Sequence, residues 1–161
     1  MATALLASIA AVAIALWFGA PTPLEERLAR LAGSVAVLGA WLAAAIGRVA
    51  MLRFVRDEDF DAAATHALPD VSLRHAAAIL QNTLEQTTLA LLAYVAVALV
   101  IPGSAVLIPI LAGLFSVGRT LFWLGYRDGA QGGALGFAVT FYPSVLTLLL
   151  VLGTLVRGVF A

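Results

Sequence analysis

The sequence contains no cysteine and no lysine, and charged residues make up only 11% of its 161 positions. Without cysteine the chain has no disulfides, no thiolate catalysis and no cysteine-based metal site. Its two histidines, His66 and His75, are nine residues apart and lack the HxxxH or HExxH spacing, so no metal site is predicted. Nine arginines balance nine acidic residues, and no basic arm is present. Nucleic acid is therefore not an expected partner.

Apolar residues are what the chain has in excess, at 63% of the sequence with a mean hydropathy of +1.05. Soluble domains carry roughly 25% charged residues. A soluble fold of this length cannot bury so much apolar surface, so lipid must be the solvent for much of it. Continuous apolar runs in lipid form helices, because lipid satisfies no backbone hydrogen bond, and these runs lack the alternation of barrel strands. The sequence therefore predicts an all-α membrane protein.

Five apolar runs approach or exceed the ~20 residues that span a bilayer. They cover residues 2–20, 28–52, 76–101, 104–126 and 134–158. The first run is predicted to be a retained transmembrane helix and not a cleaved signal peptide, because it has no basic residue at its start and carries Phe18 close to the candidate cleavage site.

The arginines are unevenly distributed between the two ends of the predicted helices. More of them flank the loops at 53–74 and 127–133, so the positive-inside rule places these loops in the cytoplasm. An arginine- and alanine-rich composition without lysine fits a GC-rich bacterial genome. The expected location is therefore the bacterial inner membrane.

Polar residues interrupt two of the apolar runs. Asn82 and Glu85 are i, i+3 neighbours on the third run, and Arg119 and Tyr126 lie two turns apart on the fourth. A carboxylate at bilayer depth costs about 3 kcal/mol or more, and such groups usually turn inward and pair. We therefore expect one inward cluster in which Glu85 pairs with Arg119 and Asn82 supports the pair. Either the cluster holds the bundle together, or it binds a polar ligand.

Further arginines lie near the same ends of the helices. Arg48 and Arg53 close the second run, Arg74 precedes the third, and Arg127 follows the fourth. Guanidinium groups suit anionic ligands because their planar fork matches a carboxylate. Arginines that snorkel from a helix end toward water explain the two in the second run equally well.

Three motifs in order carry a family resemblance: GRVAMLR at 47–53, NTLE at 82–85 and GRTLFWLGYRDGA at 118–130. Together they resemble the MAPEG family, the membrane-associated proteins in eicosanoid and glutathione metabolism. The resemblance implies a four-helix membrane domain at 28–161, preceded at 1–27 by an extra N-terminal transmembrane helix and its linker. It also implies a homotrimer that holds glutathione between neighbouring subunits and accepts lipophilic small molecules from the membrane lipid.

The resemblance also implies roles for single residues. Asn82 and Glu85 match the family positions that contact glutathione, and Arg119 and Tyr126 match the fourth-helix motif. Catalytically active members use an arginine to lower the pKa of the glutathione thiol, and a guanidinium close to sulfur stabilises the thiolate.

The sequence departs from the family pattern in three places. Ala78 replaces an arginine, Phe122 replaces a tyrosine, and residues 133–135 (Gly-Ala-Leu) stand where the thiol-activating arginine commonly falls. The candidate ligand-binding residues are Asn82, Glu85, Arg119, Tyr126, Arg48, Arg53, Arg74 and Arg127. Two functions stay open: a glutathione-dependent transferase or peroxidase acting on lipophilic electrophiles, and a non-catalytic membrane binding or scaffold protein of the same fold.

Overall fold

The computed structural model describes residues 2–55, 71–126 and 131–160, and these residues form five helices and no strand. Four of the helices are long and apolar enough to cross a membrane, so the predicted all-α membrane fold is confirmed. The first helix has only 17 residues, a length of about 25 Å against a hydrocarbon core of about 30 Å. The helices are α1 (Ala2–Phe18), α2 (Leu24–Val55), α3 (Val71–Val100), α4 (Ser104–Gly125) and α5 (Ala134–Phe160).

Helices α2 to α5 form a bundle in which α2 and α5 each pack against both α3 and α4. The short turn at 101–103 joins α3 directly to α4, but these two helices lie diagonally across the bundle and touch little. The buried side chains of Tyr94, Leu111 and Phe115 belong to the core cluster between them. A hydrogen bond between α3 and α4 therefore needs a long side chain that crosses the centre.

Two glycines let α4 and α5 approach closely. A Cβ atom added at Gly118 would lie 2.9 Å from the carbonyl oxygen of Gly136, and one added at Gly136 would overlap the backbone nitrogen of Phe122. Small residues at a helix contact are the usual means of close packing in membranes, where no hydrophobic effect drives helices together. This contact fixes α5 against the part of α4 that carries Arg119.

Helix α1 lies on α5 and α4, and it adds Val12 and Ala15 to the core. The linker after it is fastened to the α3–α4 turn. A Cβ atom at Gly103 would lie 2.6 Å from the carbonyl oxygen of Gly19, and the backbone N–H of Thr22 donates to the carbonyl of Pro102 at 3.0 Å. The extra helix is therefore packed into the domain and is not a loose extension.

Arg27, near the start of α2, satisfies carbonyl groups at the end of α3. Its Nη1 atom donates to the carbonyl of Ala98 at 2.7 Å and to that of Ile101 at 3.3 Å. The last carbonyls of a helix have no partner within the helix, and a cation there also complements the helix dipole. This contact joins α2 to α3 at the end of the bundle opposite the Arg119 region.

Candidate functional site

Arg119 lies at the centre of the bundle with its side chain completely buried. Its Nη1 atom donates to Asn82 Oδ1 on α3 at 2.8 Å, and its Nη2 atom donates to Thr140 Oγ1 on α5 at 2.7 Å. The guanidinium also stands over the rings of Phe122 and Phe115, 4.7 and 5.7 Å from their centroids. One arginine thus connects three helices, and the expected contact between Asn82 and Arg119 is present.

Glu85 does not pair with Arg119, so that expectation is wrong. Glu85 is exposed at the middle of the 30 residues of α3, and its Oε1 atom accepts a hydrogen bond of 2.9 Å from Gln81 Nε2. An i, i+3 step turns a side chain about 60° around the helix axis from its neighbour. Helix α3 is held between α2 and α5, with Asn82 facing the inside of the bundle. The difference of about 60° therefore places Glu85 on the outer surface of the chain.

A small cavity of about 140 Å³ lies at the end of the bundle near Arg119, between α2, α3 and α4. Its polar lining comes from Arg48, His75, Trp123 and Tyr126. The His75 and Tyr126 rings meet edge to face with centroids 5.9 Å apart. The indole Nε1 of Trp123 is buried and has no hydrogen-bond acceptor among the described residues.

The cavity is connected to the buried arginine through one aromatic ring. Phe122 lies against Tyr126 with ring centroids 5.2 Å apart, and the Arg119 guanidinium stands over the Phe122 ring. Trp123 follows Arg119 by one helical turn and meets Trp41 of α2 edge to face at 5.6 Å. The central polar contact and the cavity therefore belong to one continuous site at this end of the bundle.

The hydrogen-bonding capacity of the cavity lining is weighted toward donors. Guanidinium and indole groups only donate, phenol and imidazole can donate, and none of the described residues that line the cavity carries a carboxylate. Such a lining can stabilise an anion by charge and by charge-assisted hydrogen bonds.

The remaining candidates are less central. Arg53 and Arg74 are exposed near the ends of α2 and α3 and do not line the cavity, and Arg127 lies outside the described residues. Gly133, where the family pattern expects an arginine, lies beside the aromatic pair: a Cβ atom there would come within 3.3 Å of Tyr126 Cδ2. The position is therefore near the cavity, but the residue supplies no charge. Among the described residues, no group of three His, Asp or Glu side chains forms a metal site.

Sequence reasoning missed Thr140 and Trp123 as members of the site. Thr140 is one of several hydroxyl residues in the fifth run, with Ser144, Thr147 and Thr154, so the sequence carried no signal that set it apart. Nothing in the spacing of Trp123 separates it from an ordinary tryptophan at a membrane surface. Their roles appear only once α4 is set between α2 and α5.

These features define a multi-pass helical membrane protein. It has a buried arginine, hydrogen-bonded to two other helices, and a cavity lined by hydrogen-bond donors at one end of its bundle. The sequence model of the MAPEG family matches residues 28–153, most of the chain, so the protein belongs to the MAPEG family. The matched region begins within α2 and ends within α5, and α1 lies before it. No curated protein and no solved structure matches the chain.

Proposed function

We propose that this protein is a glutathione-dependent transferase or peroxidase that acts on lipophilic electrophiles dissolved in the membrane. The observation that carries the proposal is the cavity in which Arg48, His75, Trp123 and Tyr126 converge beside the Arg119 cluster. Glutathione has two carboxylates and a thiol that ionises to a thiolate, and each of these anions suits a lining rich in donors.

The size of the cavity limits how much of the tripeptide one subunit encloses. Pockets for drug-sized ligands measure roughly 300–1,000 Å³, whereas this cavity has about 140 Å³. The cavity therefore suits one anionic end of glutathione, and the rest of the molecule extends to surfaces that a neighbouring subunit supplies.

The surface of α3 supports a homotrimer on separate grounds. Gln81 and Glu85 are exposed on the single chain near the middle of a helix that can span the membrane. Polar groups at this depth rarely face lipid, and they usually face protein or a water-filled cavity. A second copy packed on this face would remove both side chains from the acyl chains.

The distribution of arginines supports an orientation in the bacterial inner membrane. Arg48, Arg53 and Arg74 lie toward the cavity end of the bundle, so the positive-inside rule puts this end, with the 53–74 loop, on the cytoplasmic side. Glutathione is a cytoplasmic thiol in this proposal, and the lipophilic acceptor arrives through the bilayer.

In this proposal Arg48 is the activating residue, because among the described residues it is the arginine that lines the cavity. When glutathione is bound, its thiol gives up its proton to water, the thiolate forms a carbon–sulfur bond to the acceptor, and the leaving group departs with the electron pair. Arg48 favours the thiolate over the thiol through its positive charge. Tyr126 can donate its hydroxyl hydrogen to the same sulfur or to a carboxylate, and Arg119 holds α3, α4 and α5 in register beneath the cavity.

Conjugation of glutathione to 1-chloro-2,4-dinitrobenzene by the full chain in lipid nanodiscs tests this proposal. Arg48→Gln is expected to lower kcat/KM by about tenfold or more, since a hydrogen bond to a charged group is worth about 1.5–3 kcal/mol. Arg53→Gln is the matched control, because Arg53 lies on the same helix, is exposed and does not line the cavity. Equal losses in both variants would show that the cavity is not the site.

One observation favours the second candidate, a non-catalytic binding or scaffold protein. Both terminal nitrogens of Arg119 donate hydrogen bonds to residues inside the bundle, so the guanidinium already serves to hold the helices together. Under this alternative the chain forms no conjugate, and glutathione leaves its melting temperature unchanged, because only a ligand of the native state stabilises it. Stabilisation by glutathione without conjugation would assign a binding role to the cavity.

A further inference from the structure

A groove runs along the outer surface of the bundle between α2 and α4, toward the end opposite the donor-lined cavity. It consists of two adjoining cavities of about 520 and 390 Å³, and Arg30 and Pro109 line both of them. Val37 connects the larger one to a third hollow of about 320 Å³ beside Trp41 and Ala44. From Arg30 to Ala44 the helix rises about 21 Å, a large part of the hydrocarbon core.

One end of this groove carries charges of both signs. Arg30 Nη2 lies 3.6 Å from Glu26 Oε1, and the two side chains are 57% and 46% exposed. Glu26 also lines the smaller cavity, together with Thr22. The pair is near the start of α2, where a transmembrane helix meets the headgroup region, so both charges can reach a zwitterionic headgroup.

Ser34 gives the groove a second polar position, one helical turn deeper than Arg30. It is only 4% exposed, it lines the larger cavity, and no described residue accepts or donates a hydrogen bond with it. By contrast, the buried Ser144 donates to the carbonyl of Thr140, four residues before it, at 3.1 Å. The Ser34 hydroxyl is therefore available to a group lying in the groove.

The wall below these polar groups is smooth and apolar. A Cβ atom added at Gly33 or at Gly113 would meet no atom within 4 Å, so open space lies beside both glycines. Ala29, Ala112 and Pro109 complete this part of the lining. The wall suits a flexible hydrocarbon chain because it offers width, and below Arg30 the described residues of the larger cavity include no hydrogen-bonding side chain other than Ser34 and Ser116.

We infer that this groove is a binding site for a zwitterionic glycerophospholipid. Arg30 binds the phosphate and Glu26 the ammonium group, since the two side chains carry the complementary charges. The Ser34 hydroxyl donates to an ester carbonyl one turn, about 5–6 Å, deeper than the phosphate. One acyl chain then follows Gly33, Val37 and Gly113 along α2 and α4.

Native mass spectrometry of the full chain with added phosphatidylethanolamine tests the site. Gly33→Leu and Gly113→Leu fill the groove from positions with open space, and each is expected to lower lipid occupancy by about tenfold. Gly39→Leu is the matched control: its Cβ also meets open space, but the residue lines none of the three hollows. Ser34→Ala, a change smaller than any leucine substitution, is expected to weaken binding about threefold.

Two results would overturn the inference. Lipid occupancy that is unchanged in Gly33→Leu, or equally reduced in Gly39→Leu, would mean that the groove does not hold the lipid. A change in oligomer mass in Gly33→Leu with unaltered lipid occupancy would mean that a second copy of the chain covers the groove. If the leucine variants do not fold, unchanged binding in Ser34→Ala decides against the site by itself.

Discussion

Replacing Asn82 with leucine is expected to destabilise the bundle more than replacing Arg119 with methionine, although the arginine is the larger and more deeply buried residue. Without Asn82 the guanidinium stays at the centre of the bundle and loses the acceptor of its Nη1 atom. Its Nε atom already has no acceptor among the described residues. The remaining side-chain acceptor is Thr140 Oγ1 at 2.7 Å.

The magnitudes follow from what each substitution leaves without a hydrogen-bond partner. A buried charged group that loses its partner costs about 3 kcal/mol. Arg119→Met removes the charge itself and leaves only the Asn82 oxygen, which is half-buried, so the expected loss is about 1 kcal/mol. Thr140 keeps a partner in either case, because its hydroxyl donates to the carbonyl of Phe137 at 2.9 Å.

The double variant separates the interaction from the two single effects. Asn82→Leu together with Arg119→Met is expected to be more stable than Asn82→Leu alone, because no unpaired charge remains. The coupling energy should be about 1.5–3 kcal/mol, the range for hydrogen bonds to charged groups. Neutral interhelical hydrogen bonds in membranes average about 0.6 kcal/mol, so the two cases can be distinguished.

Reversible unfolding of the four proteins in mixed micelles, with increasing mole fraction of dodecyl sulfate and far-UV circular dichroism as the signal, measures these free energies. The argument fails if Arg119→Met costs as much as Asn82→Leu. It also fails if the two losses are simply additive, because additive losses would show that the two side chains contribute independently.

Two further substitutions test contacts of the fold by the same unfolding assay. Gly136→Ala is expected to cost about 1–3 kcal/mol, because the new Cβ overlaps the backbone nitrogen of Phe122, whereas Gly153→Ala, with open space around it, should be neutral or stabilising. An equal effect of the two alanines would argue against the close approach of α4 and α5. Arg27→Met is expected to cost about 1.5–3 kcal/mol, because it removes the donor to the carbonyls of Ala98 and Ile101 at and just after the end of α3. In micelles without phospholipid, Arg30→Met on the same helix breaks only an exposed ion pair and should change stability little; similar losses in both would contradict the capping role.

Much of the fold could be predicted from the sequence because lipid restricts the alternatives. Apolar runs of more than 20 residues can satisfy their backbone only as helices, so the positions of α2 to α5 follow from composition and length. The motif around Asn82 and Glu85 and the one around Arg119 were enough to indicate the MAPEG family, which the match over residues 28–153 confirms. The contact between Asn82 and Arg119 was also predicted, because polar groups buried at membrane depth usually pair with one another.

The sequence did not determine how far each helix is rotated about its axis. Tertiary packing fixed that rotation, and with it which side chains belong to the site. Asn82 and Glu85 differ by about 60° around α3, and packing against α2 and α5 turned one inward and left the other exposed. The same packing brought Arg48 beside Tyr126 and left Arg53 outside the cavity. Helical periodicity shows which residues share a face, but only the neighbouring helices decide whether that face is buried.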